Sequence, residues 1–276
     1  MTVAEALRGA AGLLGETSDT ARLDAELLMA HALGVSRSDL LLGRMGQPVP
    51  PHFVGLVERR ARHEPVAYIL GHQEFYGLNF RVTPDVLIPR GDSEVLVEAA
   101  LAHQAARVLD CGTGSGALLL AVLHELSGAH GIGVDRSAAA LSVAEDNAQR
   151  LGLADRATMR ERDWHMAGWA DDLGLFDLIF ANPPYVEETA DLAPSVRSHE
   201  PAGALFAGAE GLDDYRVLVP QLPGLLTSGG VALVEIGATQ AQAVTAIGAA
   251  CGMAARLHRD LAGRARVLEF THCPKK

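Results

Sequence analysis

Val108-Leu109-Asp110-Cys111-Gly112-Thr113-Gly114-Ser115-Gly116-Ala117 carries an apolar run through a glycine-rich turn into a helical pattern, and no other segment restricts the fold as much. The glycines let a ligand approach the backbone closely at a positive helix N-terminus. Strand and helix patterns alternate from there: Arg107 to Cys111, a helix from Ala117 to Leu126, Gly131 to Val134, a helix from Ser137 to Leu151, then Ala157 to Arg160. Further strands read at Phe176 to Ala181, Val231 to Ile236, Ala255 to His258 and Arg266 to Phe270, the last two close enough to pair antiparallel. Such alternation predicts an α/β fold, a mostly parallel sheet of about seven strands with helices on both faces. Ser137 suits an N-cap and Gly152 a C-cap for the helix between them.

The first 70 or so residues differ. Val3, Leu7, Ala10 and Leu14, then Leu23, Leu27, Ala30 and Leu33 before Gly34, then Phe53, Val54, Leu56, Val57 and Ala61 carry helical spacing. Phe75, Leu78, Phe80 and Val82 around Gly77 read as a short hairpin. We therefore expect an all-helical domain over 1–73, a hairpin linker over 74–84 and the α/β domain over 85–276. At 276 residues and 49% hydrophobic the chain can bury a sizeable core. A net charge of −11, with no basic run beyond the terminal Pro274-Lys275-Lys276, argues against a grip on bare nucleic acid. Cys111, Cys251 and Cys273 are odd in number and unrelated in spacing, which suits reduced thiols in a cytoplasmic protein. No signal peptide and no run of 18 uncharged apolar residues is present, so no membrane partner is expected. Eleven histidines without a His-Glu-x-x-His or Cys/His cluster make a metal site an expectation of none.

Asn182-Pro183-Pro184-Tyr185 follows the apolar run Leu178 to Ala181, where open α/β sheets place their chemistry. The prolines fix φ and remove two donors, which leaves a site rich in acceptors. The Asn182 side-chain oxygen and the carbonyls of Asn182 and Pro183 can accept from one planar NH2 group, and Tyr185 offers a flat face. The glycine turn alone permits two cofactors: Gly112, Gly114 and Ala117 also fit the dinucleotide pattern, and Asp135 at the tip of the next strand stands where a ribose-binding acid belongs. Asp163-Trp164 can supply an acceptor and an aromatic face to an adenine. The loop at Asn182 favours adenosyl chemistry, because a methyltransferase must orient a nitrogen lone pair and a dehydrogenase has no use for such a cradle.

The chain resembles the class I S-adenosylmethionine-dependent methyltransferases and, within them, the release factor glutamine methyltransferases (PrmC/HemK). The carriers are Arg59-Arg60 and Glu64 to Gly71, Glu74 to Leu78, Val82 to Arg90, the Gly112 turn and Asn182 to Tyr185. Further on they are Glu200-Pro201, Gly211 to Asp213, Tyr215-Arg216 and Asp260 to Arg264. The resemblance implies a Rossmann-like sheet and S-adenosyl-L-methionine held by Gly112, Thr113, Gly114, Ser115, Gly116, Asp135, Trp164 and Asn182. It implies that Asn182, Pro183, Pro184 and Tyr185 hold the substrate glutamine, with Arg90 and Glu94 beside them and Asn182, Pro183 and Tyr185 in the catalytic role. The implied substrate is the glutamine of the Gly-Gly-Gln motif in class 1 peptide chain release factors, methylated on N5. We expect a monomer, and we expect the helical domain to dock the factor, because a methyl-transfer pocket alone cannot select one glutamine among many. Departures occur where the family has Pro-Arg-Pro-Glu-Thr-Glu and this chain Pro89-Arg90-Gly91-Asp92-Ser93-Glu94; His199 and Cys111 replace a usual Phe and Leu. Asp92 and Glu94 also suit a helix start. Glutamine methylation of a ribosomal protein, exocyclic adenine methylation, a nicotinamide oxidoreductase and an inert cofactor-binding module remain as alternatives.

Overall fold

The computed structural model describes residues 1–273, so the Pro-Lys-Lys end lies outside the described residues. The chain forms two compact units, 1–72 with 192–199, and 73–191 with 200–276.

The first unit holds α1 (Val3–Leu14), α2 (Ala21–Leu33), α3 (Arg37–Gly43), α4 (Phe53–Ala61) and α5 (Val66–Leu70). Thr2 and Glu5 close a capping box on α1, satisfying two orphan donors at once. The core of this unit is Val3, Leu7, Leu14, Ala25, Leu28, Met29, Leu40, Phe53 and Val57. The expected face of α2 is therefore rotated: Leu23 is exposed, Leu27 and Leu33 are only half-buried, and Asp24 and Glu26 are buried. These acids can turn inward because arginines meet them. Arg60 Nε reaches Asp24 at 2.7 Å, and Arg22 and Arg37 reach Glu26 at 2.6 and 2.7 Å. A leucine pattern read without those distant partners points to the wrong side of the helix.

The second unit opens with a hairpin whose first strand begins one residue before its boundary, β1 (His72–Phe75) and β2 (Leu78–Arg81), turned at Tyr76 and Gly77, both at positive φ. Phe75 and Phe80 meet edge to face at 6.2 Å and join the main core with Leu96, Val97 and Leu119. A short 3-10 turn (Gly91–Ser93) leads into α6 (Glu94–Leu101), followed by β3 (Arg107–Cys111), α7 (Ala117–Glu125), β4 (His130–Asp135), α8 (Ala138–Arg150), β5 (Ala157–Glu161) and β6 (Phe176–Ala181). After α9 (Pro194–His199), which belongs to the first unit, come α10 (Asp213–Leu218), β7 (Leu226–Glu235), α11 (Ala241–Ala250), β8 (Met253–Arg259) and β9 (Ala265–His272). The seven-stranded sheet has the order β5-β4-β3-β6-β7-β9-β8, parallel except for β9. Ser137 caps α8 by accepting from Ala140 N at 3.2 Å, and Gly152 takes positive φ just past its end. Several of the expected strands are longer than their pattern, β9 by three residues and β4 by two. β7 begins five residues early, because Gly229 and Gly230 hide its first half, and β8 begins at Met253.

Strand order reverses beside β3, so the carboxyl ends of β3 and β6 flank the crevice where such sheets take ligands. Cys111 pairs with Ala181 and with Val134, so Gly112, Asn182 and Asp135 leave the same sheet edge. Among the described residues no helix is long and apolar enough to cross a membrane, and no His/Cys/Asp/Glu group could hold a metal.

Candidate active site

One cavity opens at that edge, and Gly112, Thr113, Gly114, Ser115, Asp135, Trp164, Asn182 and Pro184 line it together with Arg90, Ser93, Asp163 and Pro201. The glycine turn is held to β4 by Gly112 N and Thr113 N, which both donate to Val134 O at 2.8 and 2.9 Å. Gly112 has φ +79°, and a Cβ there would stand 3.1 Å from the Trp164 ring, so only glycine lets the indole lie on the turn. The Trp164 Nε1 donates to Asp214 Oδ1 at 3.2 Å, which leaves its ring free to serve as a flat wall. Asp135 is fixed by Gly114 N at 3.0 Å and Ser137 N at 2.9 Å. Asn147, fully buried on α8, braces the turn from below: its Nδ2 donates to Ser115 O and Arg81 O, and its Oδ1 accepts from Arg81 N.

Beneath the turn Asp110 is 1% exposed; its Oδ2 accepts from Thr113 Oγ1 at 2.7 Å and its Oδ1 has no partner among the described residues. Burial, aided by the nearby Asp135 charge, pushes its pKa up to about 7. The adjoining Cys111 thiol is pushed up by burial as well, so it is a packing residue, not a nucleophile.

The four-residue loop is divided in its contacts. Asn182 and Pro184 line the cavity, Pro183 is buried, and Tyr185 is half-buried and does not line it. Its hydroxyl lies 3.5 Å from Glu235 Oε1, and burial raises its pKa to about 12, so it is a neutral donor. Gln240 clamps the far end of the loop: Nε2 donates to Tyr185 O and Gly211 O, each at 3.0 Å, while Oε1 accepts from Gly237 N at 3.0 Å. Gly211 is required there, since a Cβ would fall 2.3 Å from Tyr185 O.

Arg90 lines the cavity and pairs with the buried Glu200 at 2.8 Å, whose other oxygen accepts from Ile88 N. Two segments far apart in sequence thus form one wall. Glu94 points elsewhere: its carboxylate accepts from Tyr76 N at 3.0 Å and holds the hairpin turn. Gly116 is likewise outside the cavity, at φ +80° against Leu120 and Ala144, where it starts α7. The departing Gly91-Asp92-Ser93 is not idle: Asp92 pairs with Arg264 at 3.2 Å and with Arg266. Ser93, Asn147, Glu235 and Gln240 carry no local pattern in the sequence that marks them.

Comparison with known proteins places this geometry. Residues 5–71 match the PrmC N-terminal domain and residues 102–246 a methyltransferase domain. A release factor glutamine methyltransferase of Cereibacter sphaeroides is 43% identical, over 97% of this chain and 98% of that protein. The chain belongs to this family. A second member, from Geobacter sulfurreducens, is 45% identical over 88% of this chain and 87% of its own length. A solved methyltransferase from Pyrococcus furiosus, 16% identical with a TM-score of 0.53, covers 78% of this chain and 99% of that one, a likeness of fold alone. The S-adenosylmethionine dependence of the family suits the cavity: a carboxylate at the tip of β4, an indole wall with its N–H already engaged, and a glycine turn onto which Gly114 presents open space.

Proposed function

We propose that this release factor glutamine methyltransferase modifies the side-chain nitrogen N5 of the glutamine in the Gly-Gly-Gln motif of class 1 release factors. The observation that carries the reading is the register of β3 with β6, which brings Gly112 and Asn182 to one cavity in a chain of this family. Gly112 to Ser115, Asp135 and Trp164 would hold the cofactor, and Asn182 to Pro184 with Arg90 the substrate. When bound, S-adenosylmethionine supplies a methyl group already activated on a sulfonium.

A carboxamide nitrogen is a poor nucleophile because its lone pair is delocalised into the carbonyl. Asn182 Oδ1 and the Pro183 carbonyl accept from its NH2, orient it and raise its electron density. No strong general base is needed, and the proton leaves to water. Holding the reacting atoms in line, in a site arranged for the developing charge, supplies the acceleration. The helical unit of residues 1–72 docks the factor, and the net charge of −11 weighs against a nucleic acid in its place. The enzyme acts as a monomer in the cytoplasm.

The test is incubation with labelled S-adenosylmethionine and, separately, release factor, ribosomal protein and DNA. Label on the factor alone supports the reading; label on the ribosomal protein or DNA with none on the factor overturns it.

A further inference from the structure

The end of β7 holds a buried carboxyl that the reaction above leaves without a task. Val234 pairs with Ala181, so Glu235 and Asn182 emerge side by side from adjacent strand ends. Glu235 is 2% exposed. Its carbonyl accepts from Tyr215 Oη at 2.9 Å, its Oε1 has the long contact to Tyr185, and its Oε2 has no partner among the described residues. The polar side chains of Ser93 and Asn182 lie near this carboxyl. Besides them, it faces Arg266 from β9, Asp92 from the 91–93 turn, and the hydroxyls of Tyr185 and Tyr215. Arg266 is shared with Asp92 and Asp260, so its charge is not given to Glu235 alone.

We infer that Glu235 is a positioning residue that decides which end of the Asn182 carboxamide faces the cavity. The two ends of an asparagine amide have almost the same shape and opposite hydrogen-bonding character. A substrate NH2 needs the oxygen end; the nitrogen end would set donor against donor. An ionised carboxylate is an acceptor only, so it can receive only the Nδ2 of Asn182, and Oδ1 is then turned outward. The unpartnered Oε2 is the acceptor open for this bond. A protonated Glu235 can donate to Oδ1 instead and loses the discrimination. Burial raises the carboxyl from 4.5 to about 7, so the change falls within a measurable range of pH.

The inference rests on the glutamine reading above. The experiment compares wild-type protein with E235Q, E235D, N182A and N182A/E235Q, using release factor as substrate and calorimetry for S-adenosylmethionine binding. In E235Q kcat should fall about 10²-fold at pH 8, the scale of a misoriented reacting group, with cofactor affinity unchanged. Wild-type kcat should rise with pH through about 7 as Glu235 ionises, and this limb should be absent in E235Q and kept, at a lower rate, in E235D. E235Q should cost nothing further in the N182A background. In the free protein the Asn182 side-chain NH2 resonances should titrate near pH 7 and cease to do so in E235Q. An E235Q protein with wild-type kcat and pH limb, or losses from E235Q and N182A that multiply, overturns the inference alone. A wild-type protein that leaves the factor unmethylated overturns the glutamine reading and this inference with it.

Discussion

Replacing Asp110 by asparagine should make the second unit more stable, and increasingly so as the pH rises. Asp110 is wholly enclosed, and its pKa is displaced from 3.8 to about 7, chiefly by burial. A folded-state pKa above the unfolded one means the neutral acid favours folding. That contribution is complete below pH 3.8 and is lost as the pH climbs through about 7. At about 1.4 kcal/mol per tenfold change, the displacement amounts to about 4 kcal/mol at pH 8, an upper bound because water entering the unit lessens it. The carboxamide of the Asp110→Asn variant would still accept from the Thr113 hydroxyl, so the 2.7 Å bond that the carboxylate makes is not forfeited. The chain's two tryptophans, Trp164 and Trp169, both lie in the second unit, so urea unfolding followed by fluorescence reads that unit. The variant minus wild-type difference should grow between pH 5 and pH 8 by about 1 to 3 kcal/mol. A difference that is the same at both pH values, or that shrinks, refutes the reasoning.

Four further outcomes follow. Asn182→Ala should keep cofactor binding while slowing transfer to the release factor by about 2 to 4 kcal/mol of barrier, the worth of one preorganised polar contact; single-turnover kinetics beside calorimetry separates the two. Gly112→Ala places a side chain at φ +79° and 3.1 Å from the Trp164 ring. It should cost about 1 to 2 kcal/mol in strain and weaken S-adenosylmethionine at least about tenfold as the indole is pushed inward, the first read by urea unfolding and the second by calorimetry. Arg60→Ala leaves Asp24 buried without its 2.7 Å partner. It should destabilise the first unit by about 3 kcal/mol, read as faster hydrogen exchange over residues 1–72. Deleting residues 1–70 should abolish methylation of the intact factor and spare cofactor binding; full activity after deletion removes the docking role.

The sheet was legible because its strands and helices alternate in hydrophobic period, and Ser137 announced its helix by cap chemistry alone. Gly112 and Asn182 could be read as partners because both follow apolar strand patterns, and register then made them neighbours. What was hidden depends on distant contacts. α3 and α5 are too short for their period to stand out, and the α2 face was misread because Asp24 and Glu26 are sheltered by Arg60, Arg22 and Arg37. Gly229 and Gly230 concealed the first half of β7. Glu94, Tyr185 and Gly116 sit beside the site residues in sequence but do not line the cavity: Glu94 holds a hairpin turn, the Tyr185 hydroxyl lies near Glu235 and Gly116 opens a helix. Glu235 closes a strand whose apolar pattern gives a lone acid no meaning. Only the pairing of Val234 with Ala181 places it beside Asn182.

On the proposed reading, the oxygen-lined loop at Asn182 makes a glutamine side chain receive carbon. The most direct check is fragment-resolved mass spectrometry of release factor after incubation with the protein and S-adenosylmethionine. One CH2 added on the side-chain nitrogen of the Gly-Gly-Gln glutamine is the predicted result. An unmodified glutamine, or a methyl group located on any other residue, contradicts it.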